Sequence, residues 1–116
     1  WRSKWSGICE YQCRLYCAPN AASEVLVIDP GAGSVSFIDT GKGAWRSKWS
    51  GICEYQGRLY CAPFKASEVL VIDPGAGSVS FIDTGKGEWR SKWSGICEYQ
   101  GRLYCAPFKA SEVLVI

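Results

Sequence analysis

The stretch WRSKWSGICEYQGRLYCAPFKASEVLVI, residues 45–72, occurs a second time without a change at residues 89–116. Residues 1–28 repeat it with three substitutions, and the segment at 29–43 recurs unchanged at 73–87. The period is 44 residues, and self-similarity at a period of about 20 to 50 residues indicates a repeat architecture. The identity includes Lys, Glu and Ser, which natural repeats vary because surface substitutions cost little stability. The sequence therefore indicates either a very recent duplication or deliberate symmetrisation, and we favour the second.

Glycine and proline divide each unit into four short segments. In the second unit these are KWSGICEYQ, RLYCAP, SEVLVIDP and SVSFIDT, whose length and content of Val, Ile, Tyr and Phe are typical of strands. Gln56-Gly57 predicts a tight hairpin between the first two segments, and Pro74-Gly75-Ala76-Gly77 predicts a turn between the last two. We name the four strands A to D. Four antiparallel strands in a unit of this length predict an all-β fold, a β-propeller of four-stranded antiparallel blades; a β-sandwich or β-solenoid is the alternative.

The blade repeats span residues 1–44, 45–88 and 89–116, and the third repeat is incomplete because it lacks strand D. Strand C reads Val-Leu-Val-Ile at 69–72, which is apolar on both faces, as expected for a blade between two others. Trp45 and Trp49 lie where one blade connects to the next, so we expect them to pack in the seam between blades. An exposed stacking platform for carbohydrate or bases is the alternative for these rings.

The motif set KWSGI, GRLYCAP, SEVLVIDP and VSFIDTG resembles natural repeat proteins that carry a YCAP and VLVIDP core in propeller blades. The near-perfect repetition resembles the designed symmetric β-propellers of the Cake and Scone type. This resemblance covers essentially the whole chain and implies a closed ring of many blades with no catalytic machinery. Four residues depart from strict symmetry, namely Cys13, Asn20, Ala21 and Ala44.

The 116 residues hold about two and a half blades, whereas propellers close with about four to eight. An open arc exposes two apolar blade faces, so we expect copies to join head to tail until the ring closes. Three copies of 116 residues come close to eight blades of 44 residues; if residues are missing at an end, three copies make nine blades. The copies are separate chains of a homotrimer or parts of one longer polypeptide. The absence of Met also suggests a trimmed or partial chain.

Composition narrows the function classes. The chain has no histidine, which excludes histidine-based triads and most zinc sites. We therefore expect no enzyme activity, no metal and no cofactor, although an axial enzyme site is kept as a third hypothesis. The net charge of +2 is too small to indicate nucleic acid, and no apolar run is long enough for a membrane helix.

The cysteines repeat at a spacing that suits a hairpin better than a metal or redox motif. A two-residue turn at Gln56-Gly57 sets Ile52 opposite Cys61 and Cys53 opposite Tyr60, so the two thiols point to opposite faces and cannot bond. We expect these cysteines to act as small buried hydrophobes in a protein suited to a reducing compartment. Cys13 replaces a turn glycine, so we expect an exposed, reactive thiol.

Basic residues recur in the connections between blades, on one predicted rim of the ring. Converging charges of one sign attract polyanions, so we hypothesise that sulfate, phosphate or a larger inorganic polyanion binds there. The alternative is a solvated basic rim that keeps the protein soluble. The candidate residues are Lys4, Lys48, Lys92, Arg2, Arg46, Arg90, Lys42 and Lys86.

These observations favour a designed, self-assembling symmetric scaffold with no natural biochemical activity. The principal alternative is a natural β-propeller interaction module that binds a protein or peptide on one rim. A natural localisation does not follow from either reading; a designed chain would stay in the cytoplasm of the host that expresses it.

Overall fold

The computed structural model describes residues 3–45, 47–88 and 90–116, which form three antiparallel sheets. The first sheet contains four strands in the order β1 (Trp5–Tyr11), β2 (Arg14–Pro19), β3 (Glu24–Asp29) and β4 (Ser34–Asp39). The second contains β5 (Trp49–Tyr55), β6 (Arg58–Pro63), β7 (Glu68–Asp73) and β8 (Ser78–Asp83). The third contains β9 (Trp93–Tyr99), β10 (Arg102–Pro107) and β11 (Leu114–Val115). The sheets coincide with the predicted repeats, and we call them blades 1, 2 and 3.

The hairpin between strands A and B has the predicted turn and register. Ile52 lies opposite Cys61 and Cys53 opposite Tyr60. Gln56 and Gly57 both have positive φ, at 50° and 81°, as a two-residue hairpin turn of this twist requires. The sequence therefore predicted both the turn and the pairing of these strands correctly.

The innermost strands hold the blades together. Strand β5 packs against β1 on one side and β9 on the other, while β4 and β8 are the outer strands of their sheets. In the middle sheet, Ser78, Ser80, Ile82 and Asp83 of β8 are exposed, whereas Val69, Leu70, Val71 and Ile72 of β7 are all buried. Both observations agree with a sheet that lies between two others and has a polar outer strand.

The core is the seam between adjacent blades rather than the interior of any one sheet. Between blades 1 and 2, Trp49, Leu70 and Ile72 pack with Val25 and Val27. A second cluster forms where Trp93 and Cys105 of blade 3 meet Ala62 of blade 2. Because a blade cannot bury both faces alone, each blade depends on its neighbours for most of its apolar burial. In the part of the chain that the structure describes, no helix is long and apolar enough to cross a bilayer.

Candidate functional site

A column of glycines brings the innermost strands into backbone contact. Gly7, Gly51 and Gly95 occupy equivalent positions with φ of 96°, 90° and 88°. A Cβ on Gly7 would lie 2.8 Å from the Cα of Gly51, and one on Gly51 would lie 2.7 Å from the Cα of Gly95. Only glycine fits such a close approach at a positive φ. A Cβ on Gly95 would meet nothing within 4 Å, so the column is open at blade 3.

A ladder of serine hydroxyls runs beside the glycines. The Oγ atoms of Ser6 and Ser50 lie 3.1 Å apart, and those of Ser50 and Ser94 lie 3.2 Å apart. Each hydroxyl can donate one bond and accept others, so the ladder can extend from blade to blade in one direction. Ser50 is hydrogen-bonded to a serine of the preceding blade and to a serine of the following blade. A further blade would make the same contact with a serine at the end of the ladder.

Lys48 is buried in the seam between blades 1 and 2, with none of its surface exposed. Its Nζ donates to the carbonyl oxygens of Trp45 at 2.7 Å and Ala21 at 3.3 Å, and its backbone N–H donates to the carbonyl of Asn20 at 2.9 Å. Burial lowers the pKa of Lys48 from 10.5 to about 8 because it disfavours the charged ammonium. This lysine therefore ties a blade to the loop of the preceding blade.

Lys92 plays the same part between blades 2 and 3, with one electrostatic difference. It is 3% exposed, and its Nζ donates to the carbonyl oxygen of Lys65 at 3.3 Å. Burial lowers its pKa, and the nearby carboxylate of Glu88 opposes that shift. Ala44 stands at the equivalent position before Lys48, so the first seam lacks this counter-charge.

Asn20 gives the first seam a contact that the second does not have. It is 8% exposed, and its Nδ2 donates to the carbonyl oxygen of Trp49 at 2.7 Å. The equivalent residues Phe64 and Phe108 instead contact one another, with ring centroids 5.3 Å apart. The departure of Asn20 from symmetry thus exchanges a ring contact for a hydrogen bond across the seam.

Trp49 and Trp93, which open strand A in blades 2 and 3, are core residues, as predicted, whereas Trp5 in blade 1 is half-buried. Trp49 and Trp93 are 1% and 2% exposed, and their indole N–H groups donate to the carbonyl oxygens of Glu68 and Glu112 at 2.8 Å. Trp45 is half-buried and lies 5.5 Å from the Nζ of Lys48, measured to the ring centroid. Large rings therefore fill the seams between the described blades.

The structure corrects the expected placement of the basic residues. Lys48 and Lys92 lie inside the seams, where their ammonium groups bind carbonyls, so an external polyanion does not reach them. Lys42 and Lys86 form ion pairs with Glu68 and Glu112 at 3.2 and 3.3 Å. Lys4 and Arg90 are exposed, while Arg2 and Arg46 lie outside the described residues. The six candidates that the structure describes therefore do not form one open basic rim.

The repeating cysteines lie on opposite faces, as predicted, and differ in burial. All seven are free; Cys17, Cys61 and Cys105 are buried, whereas Cys97 is exposed. Burial raises the pKa of Cys105 to about 12 and that of Cys61 well above its ordinary value, which disfavours the reactive thiolate. Cys13 is exposed in the turn at φ 65°, as predicted. Its preferential labelling stays a prediction, and Cys97 is its exposed competitor.

The outer faces of blades 1 and 3 expose side chains whose equivalents are covered in the interior of the chain. Ile8 is 58% exposed, whereas Ile52 packs on the core of the first seam. Val113 is 53% exposed, whereas Val69 is 1% exposed. We call the outer face of blade 1 the leading face, defined by Ile8, Val35 and Phe37, and that of blade 3 the trailing face, defined by Tyr99, Val113 and Val115.

Within residues 3–45, 47–88 and 90–116, no group of three or more His, Cys, Asp or Glu side chains is placed to hold a metal ion. The glycine column, the serine ladder and the buried lysines all lie where two blades meet, so we take the seams as the candidate functional site.

Comparison with solved structures agrees with a propeller. The chain is similar to the virginiamycin B lyase of Staphylococcus aureus, with a TM-score of 0.78 and 12% identity over 97% of this chain and 38% of that one. It is also similar to the glutaminyl cyclase of Myxococcus xanthus, with a TM-score of 0.65 and 18% identity over 99% of this chain and 56% of that one. No protein-family model and no curated protein matches the sequence. At these identities the likeness shows the fold alone, that of repeated four-stranded propeller-like blades, and the chain spans less than two thirds of either protein.

Proposed function

We propose that the chain is a designed, self-assembling scaffold without enzymatic activity, and that three copies close head to tail into a symmetric β-propeller. Because each copy contributes three blades, we propose nine blades for this ring rather than the eight that the residue count also suggested. The observation that carries the proposal is the identity between the exposed outer faces and the faces packed together in the chain's own seams. The leading face of one copy presents the residue types with which blade 2 packs on blade 1. The trailing face presents the residue types with which blade 1 packs against blade 2 and blade 2 packs against blade 3.

The polar groups of the seam support the same contact. Ser94 and Ser6 are the two ends of the hydroxyl ladder, and Gly95 and Gly7 are the two ends of the glycine column. A second copy placed as blade 2 is placed on blade 1 continues both series without a new kind of interaction. Such a contact is heterologous, and it terminates only when the rotation closes a ring.

Native mass spectrometry of the 116-residue chain tests the assembly. We expect a single species of three copies, and a stable monomer at micromolar concentration overturns the proposal. The variant Gly95→Ala sharpens the test, because its Cβ meets nothing in one chain but points at Gly7 of the next copy. We expect this variant to remain monomeric. Gly33→Ala is the matched control, since Gly33 also has a positive φ, 66°, and open space around it, and it should still assemble.

The designed origin rests on a separate observation, the identity of the repeats at surface positions. Selection tolerates surface changes, so identical residues at exposed positions of all repeats are not expected in a natural gene. A natural coding sequence with the same three repeats would overturn the designed origin and leave the assembly proposal standing.

Polyanion binding is a subsidiary proposal that now rests on the exposed basic residues Lys4 and Arg90 and on the paired Lys42 and Lys86. Calorimetry with inorganic sulfate and phosphate at low and high salt tests it, because screening weakens contacts between exposed charges. Heat that is absent, or that does not change with salt, rejects it.

A further inference from the structure

A groove lies at the outer end of the seam between blades 1 and 2, on the side of the turn that joins β7 to β8. It has a volume of about 290 Å³. Strands β2, β3 and β4 of blade 1 supply one wall, and Pro74 and Gly77 in the turn of blade 2 supply the other. Both walls come from the interior of a single chain, so the groove is complete without ring closure.

Tyr16 brings a polar group to the deepest part of this wall. The register sets Tyr16 opposite Val27 and Val27 opposite Ser36, so the three side chains share the face that packs on blade 2. Tyr16 is 4% exposed, and its hydroxyl forms no hydrogen bond with any described residue. Every fully buried side-chain oxygen and nitrogen of the described ranges has a partner, so this hydroxyl is reached by solvent. Because a buried tyrosine hydroxyl usually has a partner, the one at Tyr16 is available to a ligand in the groove.

Arg14 and Asp29 place one positive and one negative group beside the tyrosine. The Nε of Arg14 lies 3.6 Å from Oδ2 of Asp29, which is longer than a hydrogen bond, and both side chains are partly exposed. The other carboxylate oxygen of Asp29 accepts from the backbone N–H of Ala32 at 3.2 Å, which holds the carboxylate in place. A guanidinium only donates and a carboxylate only accepts, so one hydroxyl of a ligand can donate to Asp29 while its neighbour accepts from Arg14.

The same lining occurs in blade 2, where the equivalent residues border a cavity of about 340 Å³. Its polar members are Arg58, Tyr60, Asp73, Ser78 and Ser80. The arrangement is therefore a property of the repeat.

The chemistry of the lining indicates the class of ligand. The charges of Arg14 and Asp29 balance, and the carboxylate of Asp29 opposes the entry of an anion. Hydroxyls that both donate and accept come from Tyr16, Ser34 and Ser36, and apolar surface comes from Val27, Ile38 and Pro74. A volume of about 290 Å³ is at the lower end for small-molecule sites, so it suits a single sugar ring better than a larger ligand.

We propose that the groove between blades 1 and 2 binds a neutral polyhydroxy compound of the size of one pyranose ring. Two adjacent hydroxyls of the ligand bond to Asp29 and Arg14, and a third bonds to the Tyr16 hydroxyl. The C–H face of the ring packs on Val27 and Ile38. This binding activity is separate from the scaffold assembly proposed above and does not require it.

Amide NMR spectra of the isotope-labelled 116-residue chain test the site by titration with the methyl glycosides of glucose, galactose and mannose. We expect at least one glycoside to shift the amides of Ser36 and Gly77 saturably. The dissociation constant should be about 1 mM, as for a ligand of about a dozen non-hydrogen atoms. Inorganic sulfate is the comparison ligand and should leave these two amides unchanged. Saturable shifts with sulfate and none with the glycosides would mean that the groove is an anion site, and would overturn the proposal.

A hydroxyl deletion made in every unit gives the second readout. The triple variant Tyr16→Phe, Tyr60→Phe and Tyr104→Phe should bind the glycoside about threefold to tenfold more weakly, because each site loses one hydrogen bond. The matched control removes the hydroxyls of Tyr11, Tyr55 and Tyr99 in the same way. The hydroxyls of Tyr11 and Tyr55 lie beside Gly57 and Gly101, and neither residue lines a groove, so this control should change affinity less than about twofold.

Two further outcomes overturn the site: no saturable shift with any of the three glycosides, or equal weakening by the two triple variants. Repeating the titration on the Gly95→Ala chain separates this proposal from the assembly proposal. Binding should persist there, because both walls of the groove belong to one chain.

Discussion

Blades 2 and 3 contain the same 28 residues, at 45–72 and 89–116, and yet bury them differently. Val71 is 5% exposed, while Val115 is 46% exposed; Cys53 is half-buried, while Cys97 is exposed. Two things differ between the sets: blade 2 has a blade on each side, and its β7 is also paired with β8, whereas blade 3 has three strands and one neighbouring blade. Burial in this protein is therefore a property of the seam, and the same sequence supports a covered state and an open one. This is the behaviour of quasi-one-dimensional repeat proteins, in which stability resides in nearest-neighbour interfaces.

Gly51→Ala should cause the largest loss of stability, because it disrupts the backbone contact between blades 2 and 3. The new Cβ meets the Cα of Gly95 at 2.7 Å and requires a positive φ of 90°. The left-handed conformation alone costs about 1 to 2 kcal/mol, and the backbone collision adds to it, so we expect a loss of more than about 3 kcal/mol. Urea unfolding followed by tryptophan fluorescence measures it. Gly33→Ala, which has space for a Cβ, should cost only the conformational part; equal losses would mean that the blades do not approach as closely as described.

Lys48 should make the free energy of unfolding depend on pH. Its pKa in the folded chain is about 8, below its ordinary value of 10.5, so between these values the unfolded chain binds more protons. Stability contributed at this site therefore rises with pH over that interval, by about 2 kcal/mol between pH 8 and pH 10. Buried thiols with raised pKa values act in the opposite direction, so the quantity to measure is the difference between the wild-type chain and Lys48→Met in urea unfolding.

Ala44→Glu is the matched variant for that measurement. It places beside Lys48 the carboxylate that Glu88 supplies near Lys92, where it raises the pKa. We expect the pH dependence of Ala44→Glu, relative to Lys48→Met, to be shallower than that of the wild-type chain. A difference between wild type and Lys48→Met that stays constant from pH 8 to pH 10 would show that Lys48 titrates at its ordinary pKa.

Val71→Ala and Val115→Ala test the same side chain in the covered and the open blade. The loss of two methyl groups at Val71 should lower the free energy of unfolding by about 1.5 kcal/mol, because that side chain is removed from water. Under conditions that keep the chain monomeric, Val115→Ala should cost less than about 0.5 kcal/mol, since Val115 is exposed. Similar losses in the monomer would contradict the open trailing face.

The sequence predicted the parts of this structure that depend on local pattern. Period, strand content and the Gln56-Gly57 turn were sufficient for the antiparallel four-stranded sheets and for the opposite orientation of Cys53 and Cys61. The closure of the ring remains a prediction, as does polyanion binding.

The features that sequence reasoning missed depend on the neighbouring blade. Lys48 was interpreted as a rim charge, because nothing in its own strand shows that carbonyls of the preceding blade receive its ammonium group. Gly51 was not singled out from the sequence; its recurrence inside strand A of all three units was the available signal, because a glycine in a strand can mark a close approach of another backbone. Asn20 was noted only as a departure from symmetry, since its hydrogen bond to Trp49 spans 29 residues.

The last comparison concerns the hairpin turns of blades 1 and 2, which differ by Cys13 in place of Gly57. Both residues have positive φ, and both backbone N–H groups donate to a glutamate carboxylate at 3.0 Å. A Cβ on Gly57 would be in ordinary contact with the Tyr11 hydroxyl at 3.5 Å, so the side chain itself is the main difference. Cys13→Gly should raise the free energy of unfolding by about 1 kcal/mol, because glycine adopts this conformation without strain. Gly57→Cys should lower it by a similar amount in urea unfolding. If neither change moves the unfolding midpoint, the turns tolerate a side chain at positive φ, and the departure at Cys13 carries no cost in stability.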